Sequence, residues 1–400
     1  HAGPVFAVSS IAVLDTKDNA PAAQKLRQGQ EAMARRDHAA ANALFREAAK
    51  LSPQSPLPLL ALAESARVRN ETDLVEKWLG EALRVAPKDS TTLSAWGSWH
   101  YARGEYQKAE SFKKAAVAAD PKATGPLVDL GDLYFNVLGK PEQAAEFYRR
   151  ALAINPDLGG AHYALGMSLQ SGAKLDAAIA EFKESARLSP ENPLPLQALA
   201  RALAQKGDAT GALATFDQLL KMQPAYAPAL LDKGDVLLSQ GKADAALVEY
   251  TLAVRANPKT ALAHMKLGMS QQALSRPGEA ISSYQTAIRL DPKQAIALNN
   301  LAWLAAERAD IADRGLAWAK QAVALNGAEP RFQGTLAWVH FKRGETAKAL
   351  GILEPLVKSA GKTLPESHYL LGLVYAEKGD KAKAIPALRE ALRLNPAFSQ

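Results

Sequence analysis

The prolines of this chain recur about every 34 residues, and this interval constrains the fold more than any other feature of the sequence. Most of the series consists of Pro53, Pro87, Pro121, Pro156, Pro190, Pro224, Pro258 and Pro292. Each proline follows a stretch of helical apolar periodicity, and proline ends a helix because it lacks the backbone N–H that continuation requires. Such an interval indicates tandem copies of one helical unit.

Small residues fall into fixed columns when each proline is numbered as position 32 of a 34-residue unit. Position 20 is alanine in nine of eleven units, and position 24 is large and apolar in ten. Position 8 holds only glycine or alanine: Gly29, Ala63, Gly97, Gly131, Gly166, Ala200, Gly234, Gly268, Ala302, Ala337 and Gly372. A residue without bulk lets one helix approach its neighbour closely, so these columns predict tight helix pairs.

Two units depart from the columns. Lys113 stands at position 24 of unit three, where a bulky apolar residue is expected. In unit nine, Arg314 stands at the small position 20 and Asn326 takes the proline slot, and two inserted residues follow before Pro396 closes the series. We therefore expect unit nine to pack less regularly against unit ten.

Small residues at positions 8 and 20 with proline at position 32 resemble the tetratricopeptide repeat (TPR). The resemblance implies an all-α fold, a right-handed α-solenoid or superhelix of about eleven helix-turn-helix units whose first helices form the concave face. The units are 22–55, 56–89, 90–123, 124–158, 159–192, 193–226, 227–260, 261–294, 295–328, 330–363 and 365–398. Residues 1–21 form an N-terminal extension, expected either to cap the array or to be flexible. The abundance of alanine and leucine, with only 6% aromatic residues, also favours helix over sheet.

The sequence offers little for catalysis or metal binding. The chain has no cysteine, which excludes disulfides, thiolate metal sites and cysteine nucleophiles. Five histidines fall in helix-packing columns and are interpreted as structural: His100, His162, His264, His340 and His368. Metal-protease, nucleophile-elbow and phosphate-loop motifs are missing, and the carboxylates are scattered singly. We therefore predict no enzymatic activity, no metal and no cofactor.

Other partner classes are also disfavoured. The net charge of +7 is small for 400 residues, and basic doublets such as Arg149-Arg150 are interleaved with acidic residues. A nucleic-acid partner is therefore not expected. No apolar run reaches the roughly 18–20 residues of a membrane-spanning helix. The last unit has no polar helix to cover it, which leaves self-association through that end open.

The resemblance also implies a binding site, because ligands of this family usually lie against first-helix positions 2, 5, 9, 12 and 13. Carried onto this sequence, these positions give Tyr101, Asp132, Phe135, Asn136, Tyr163, Met167, Gln170, Gln197, Arg201, Gln205, Asp235, Met265, Met269, Gln272, Asn299, Trp303, Arg331, Trp338, Phe341, Lys342 and Tyr369. Aromatic rings, thioethers and amides suit an extended peptide. The lysine and asparagine set that clamps acidic C-terminal peptides in some relatives is not found.

The sequence thus predicts a non-catalytic scaffold that binds a peptide or protein partner in the concave groove. The same side chains could stack sugar rings, so a polysaccharide-binding periplasmic superhelix remains an alternative. Another is the TPR arm of a larger enzyme or transporter. Residues 299–303 and 335–338 resemble runs in bacterial envelope repeat proteins that serve exopolysaccharide export. Together with the missing cysteines, they favour the bacterial periplasm or cell envelope over the cytoplasm.

Overall fold

The computed structural model describes residues 20–308, 311–360 and 364–396. Within these ranges the chain forms 22 α-helices and no strand, which confirms the all-α prediction. The chain divides into two compact halves, residues 1–207 and 208–400, and the boundary falls inside the sixth unit. The predicted extension lies outside the described residues up to position 19. So does the chain end from position 397, which includes the last residues of the unit whose self-association the sequence leaves open.

Each unit contributes two helices, of which the odd-numbered one comes first. In the first half they are α1 (Ala20–Ala34), α2 (His38–Leu51), α3 (Leu57–Val68), α4 (Thr72–Val85), α5 (Ser90–Ala102), α6 (Tyr106–Ala119), α7 (Thr124–Asn136), α8 (Pro141–Ile154), α9 (Gly159–Ser171), α10 (Leu175–Leu188) and α11 (Pro193–Lys206). The second half contains α12 (Ala209–Met222), α13 (Ala227–Ser239), α14 (Ala243–Ala256), α15 (Ala261–Ala273), α16 (Pro277–Leu290), α17 (Ala295–Ala306), α18 (Ala312–Leu325), α19 (Pro330–Lys342), α20 (Thr346–Ala360), α21 (Pro365–Glu377) and α22 (Lys381–Leu394).

The helices begin and end where the side chains favour it. Asp37 and Asp208 cap α2 and α12, each accepting a hydrogen bond from a first-turn amide at 3.0 and 2.8 Å. Glycines with positive φ end several first helices, as Gly207 does at φ +90°. Within each half, every helix packs on the next, and several pairs of successive first helices also touch, as α5 and α7 do. The first helices that touch therefore lie on the same face within their half.

The small residue at position 8 packs against the large residue at position 24 of its own unit. A Cβ atom added to Gly268 would lie 2.7 Å from the Tyr284 ring, closer than real side chains approach. The same contact joins Gly166 to Phe182 and Gly234 to Tyr250, and these rings are fully buried. In the units that carry a ring at position 24, ring packing therefore explains the small residue at position 8.

We expect Gly268→Ala to lower the free energy of unfolding by about 1–2 kcal/mol, because the methyl group must displace the Tyr284 ring. Gly351 is the matched control: it lies in the middle of α20, and an added Cβ would meet no atom within 4 Å. Gly351→Ala should stabilise the chain by roughly 0.5–1 kcal/mol, because alanine is the better helix former. Urea unfolding followed by circular dichroism measures both, and equal effects would contradict the packing explanation.

In unit nine, the buried positions of the second helix lie one residue later in the structure than the repeat numbering assigns them. The buried small residues of α18 are Gly315, Ala319 and Ala322, with the spacing of Ala246, Tyr250 and Ala253 in α14. The extra residue therefore lies before α18, not after the unit, and the assignment of Arg314 to position 20 is wrong. Arg314 is exposed, with its guanidinium 4.7 Å from the centroid of the Trp318 ring.

Asn326 likewise does not replace a proline. It caps the C-terminus of α18, as Asn257 caps α14, and Gly327 takes the proline slot. The backbone N–H of Asn326 donates to the carbonyl of Ala322, and that of Asn257 donates to Ala253. The second helix of unit nine therefore ends in the same way as that of unit seven, one residue later.

Four of the five packing histidines hold turns and loops together. His162 and His264 each bond through Nε2 to the carbonyl oxygen of the preceding register proline, at 2.9 Å. His100 and His340 bond glutamates five residues on, at 3.0 and 2.8 Å. These contacts agree with a structural interpretation of the histidines.

Candidate functional site

All of the predicted groove residues lie on first helices, from α5 to α21. In the first half, several of them bond to other side chains of the protein. Asp132 accepts a hydrogen bond from the hydroxyl of Tyr148 at 2.6 Å, and burial raises the pKa of its carboxyl group. The Tyr101 ring lies edge-on to Tyr106, with centroids 5.8 Å apart. These side chains are arranged mainly by intramolecular contacts.

The other first-half candidates differ in exposure. Gln170 donates to Gln205 at 2.8 Å, which links α9 to α11, whereas Gln197 is buried. The Tyr163 ring is 5.9 Å from Phe182. Phe135 and Met167 are half-buried, and Asn136 and Arg201 are exposed. None of these first-half residues lines either of the two cavities described below.

In the second half, Asp235 is held between two partners. It accepts hydrogen bonds from the Tyr250 hydroxyl at 2.8 Å and from the Lys266 ammonium at 2.6 Å. Burial raises the pKa of the Tyr250 hydroxyl, and the bond to Asp235 raises it further. Met265 is buried in the core, whereas Met269 is half-buried. Only Met269 of these two thioethers is open to a ligand.

Four of the predicted residues do meet in one cavity of about 220 Å³, which we call the Asn299 cavity. Gln272, Asn299, Trp303 and Arg331 line it from α15, α17 and α19. Its other lining residues are Asn300, Gly334, Thr335, Leu364, Glu366, Ser367 and Leu370. The cavity joins amide, hydroxyl and apolar groups from four successive first helices.

A directed chain of hydrogen bonds crosses this cavity. Asn299 donates to the Asn300 amide oxygen at 3.2 Å, and Asn300 donates to the Tyr284 hydroxyl at 3.1 Å. Tyr284 in turn donates to the amide oxygen of Gln272 at 2.9 Å. The chain fixes the orientation of each amide. Among the described residues no group donates to Oδ1 of Asn299, so this buried amide oxygen is an acceptor without a partner.

A stack of aromatic rings stands beside the cavity and joins α17 to α19. The Trp303 and Trp338 rings are 5.2 Å apart and nearly parallel, and Phe341 lies 5.6 Å from Trp338. Trp338 is only 9% exposed, and its indole N–H has no acceptor within the described part of the chain. A buried donor without a partner is unfavourable unless a ligand or water supplies one.

Charged residues surround the stack. The Lys342 ammonium is 4.8 Å from the Trp338 centroid and 3.0 Å from Glu307. Arg331 pairs with Glu329 at 2.8 Å, and this guanidinium lowers the pKa of the Glu329 carboxyl group. Tyr369, the last candidate, is exposed on α21. The charges at this site are therefore largely paired.

Sequence reasoning missed a second cavity, of about 660 Å³, in the first half. We call it the Ser98 cavity. Ser94, Ser98 and Asp129 line it, and the ammonium of Lys113 reaches Asp129 and Ser98. Ser94 and Ser98 occupy groove positions 5 and 9, but a serine there does not by itself indicate a binding site. The available signal was Lys113 itself, because a lysine in a buried column must find polar partners.

Two kinds of feature are missing from the described ranges. No helix there is both long and apolar enough to cross a membrane. No three histidine, aspartate or glutamate side chains converge there in a way that could hold a metal ion.

Comparison with known proteins shows which family the sequence matches. A model of the tetratricopeptide repeat matches residues 95–159, 128–193, 198–261 and 265–330, and another model of the repeat matches 365–398. These matches together cover more than half of the chain.

Curated relatives match shorter parts. The anaphase-promoting complex subunit CDC16 of Saccharomyces cerevisiae is 26% identical over 166 residues, 40% of this chain and 20% of that protein. The cell division cycle protein 16 homolog of Mus musculus is 29% identical over 139 residues, 32% of this chain and 22% of its own. The chain thus spans about a fifth of the length of these relatives.

A solved structure matches over nearly the full length. The APC/C hetero-tetramer Cut9–Hcn1 structure aligns with 98% of this chain and 96% of its own, at 14% identity and a TM-score of 0.50. At that identity the likeness shows the fold alone.

Proposed function

Because this chain belongs to the tetratricopeptide repeat family, we propose that it is a non-catalytic scaffold that binds an extended segment of a protein partner. The site is the Asn299 cavity together with the stack of Trp303, Trp338 and Phe341. Proteins with this repeat act by holding peptides and proteins, and the two cations at this site, Arg331 and Lys342, are already paired within the chain.

The observation that carries the proposal is the hydrogen-bond chain that ends at Asn299. It leaves an amide oxygen as a buried acceptor, and the Trp338 indole on the next helix is a buried donor without a partner. A peptide backbone carries both complementary groups in every residue. An extended segment therefore satisfies both atoms once the side chains that cover them shift on binding, while its own side chains pack on Phe341 and Tyr369.

The stack favours a peptide over the polysaccharide alternative. Sugar rings bind to open aromatic faces, but here the faces of Trp303 and Trp338 lie against each other. Trp338 is also buried, which removes the larger part of the platform. Polysaccharide binding is therefore the weaker candidate for this site.

We further propose a location in the bacterial periplasm or envelope, supported by the runs at 299–303 and 335–338 and by the missing cysteines. Fractionation of cells from the source organism tests it, and recovery only in the cytoplasmic fraction would contradict it. A role as one arm of a larger enzyme or transporter is compatible with the same binding site.

The proposal predicts that Asn299→Ala weakens peptide binding about tenfold, because the acceptor at the end of the chain is lost. A displayed library of random dodecapeptides is selected against the full chain, and the recovered peptides are titrated calorimetrically. Gln218→Ala is the control, because it removes an exposed amide from the second helix α12. If Asn299→Ala and Gln218→Ala bind every recovered peptide alike, the Asn299 cavity is not the site.

A further inference from the structure

The Ser98 cavity lies in unit three, where position 24 does not carry the ring that packs on position 8 in other units. In unit three, the methylene stem of Lys113 takes the place of the ring, and a Cβ atom added to Gly97 would lie 2.7 Å from Lys113 Cγ. The lysine side chain is only 4% exposed. A buried charge requires partners, and the wall of the cavity supplies them.

The partners form a short polar network across units three and four. The Lys113 ammonium lies 3.1 Å from Asp129 Oδ2 and donates to Ser98 Oγ, also at 3.1 Å. Ser94 donates to the same Asp129 oxygen at 2.7 Å. Lysine and aspartate neutralise each other, so this wall of the cavity is polar but carries no net charge.

Within this network, one hydrogen-bond donor and one acceptor have no partner among the described residues and can bond to a ligand. Ser98 is 6% exposed and accepts its bond from Lys113, so its own hydroxyl proton is left over. Oδ1 of Asp129 accepts no hydrogen bond from any described residue, because both contacts to this carboxylate go to Oδ2. A carbonyl oxygen and an N–H group on one ligand match this pair.

The rest of the lining is mixed. Leu57, Leu60 and Leu79 line the cavity from α3 and α4, and two cations and two anions line it as well: Lys88, Lys122, Asp89 and Asp120. Its volume of about 660 Å³ falls within the range of ligand-binding pockets. No aromatic ring is among the described residues that line it, which disfavours a sugar.

We propose that the Ser98 cavity is a second recognition pocket, which takes an uncharged stretch of polypeptide with an apolar anchor side chain. The backbone amide of the anchor bonds to Ser98 and Asp129, and its side chain packs on the three leucines. A charged anchor beside Ser98 is disfavoured, because it would have to separate Lys113 from Asp129. The pocket shares no residue with the Asn299 cavity, so either site can fail without the other.

Lys113→Tyr tests the charge balance without removing the packing. Tyr148, Tyr250 and Tyr284 fill the same column in other units, and each bonds a polar residue of the first helix through its hydroxyl. Tyrosine at 113 is therefore compatible with the fold, but it leaves Asp129 without its counter-charge. We expect it to weaken binding of an uncharged peptide about tenfold and to tighten binding of the same peptide with a lysine beside the anchor.

Ser98→Ala removes only the hydroxyl donor, and it should weaken the binding of the uncharged peptide about tenfold. Ser111→Ala is its control, because Ser111 is exposed on α6 of the same unit. The probe is a displayed library of random dodecapeptides, selected against the full chain carrying Asn299→Ala. Circular dichroism checks that each variant is folded, and calorimetry measures the affinities.

Three outcomes would overturn the proposal. The first is the recovery of no peptide. The second is the recovery of peptides that bind Ser98→Ala and Lys113→Tyr as tightly as Ser111→Ala. The third is a set of peptides whose anchors are all charged. Loss of binding in Ser98→Ala, with a gain for the lysine-bearing peptide in Lys113→Tyr, supports it.

Discussion

Trp338→Ala should lower the free energy of unfolding by about 3–5 kcal/mol, because it removes the central ring of the stack and leaves a cavity between α17 and α19. Trp338→Phe keeps a ring in the stack and removes the indole N–H that has no partner. We expect it to cost only about 1 kcal/mol, because the lost volume is partly offset by removal of an unsatisfied donor. Urea unfolding measures both values.

The two Trp338 variants also separate stability from binding. If a peptide accepts the indole N–H, Trp338→Phe should weaken peptide affinity about tenfold although the fold is kept. Trp78→Ala is the stability control, because Trp78 is half-buried and lies in the first half of the chain. A loss no greater than that of Trp78→Ala would show that the stack does not hold α17 and α19 together.

Asp129→Ala should destabilise the first half by roughly 2–4 kcal/mol, because it leaves the Lys113 ammonium buried without a counter-charge. Replacing both residues, as Lys113→Met with Asp129→Ala, should recover most of this loss, because methionine fills the space of the stem and carries no charge. Chemical unfolding of the single and double variants gives the coupling free energy directly.

Asp313→Ala is the matched control for this pair. Asp313 also pairs with a cation, Arg343 at 2.9 Å, but its side chain is fully exposed. Exposed ion pairs contribute little, so the change should stay below about 0.5 kcal/mol. If Asp129→Ala proves equally mild, the Lys113 ammonium reaches water in solution, and the preference of the Ser98 cavity for an uncharged anchor loses its basis.

Much of the fold could be predicted because similar contacts between paired helices recur along the chain, and they place similar residue types at the same positions of the repeat. Glycine at position 8 and a ring at position 24 are visible in the sequence, and the structure shows them in contact, as in Gly268 with Tyr284. The register of unit nine could not be predicted from the 34-residue interval, because the interval does not show where in the unit an extra residue is inserted. The spacing of Gly315, Ala319 and Ala322 was the better guide.

The candidate site was predicted only in outline. Residue types at groove positions pointed to Asn299, Gln272 and Trp303, and the structure brings these together. Their hydrogen-bond chain passes through Tyr284, which stands on a second helix, so no pattern along the first helices could reveal it. The Ser98 cavity was missed because serine at a groove position carries no signal until the buried lysine beneath it is located.

The contact between a glycine and a ring of the same repeat has a kinetic consequence. Gly29 and Phe45, or Gly234 and Tyr250, are only about sixteen positions apart along the chain. Contacts so close in sequence lose little chain entropy when they form, and proteins rich in them fold quickly. Each helix pair can therefore close as soon as its ring leaves the ribosome, before the following repeats have been synthesised.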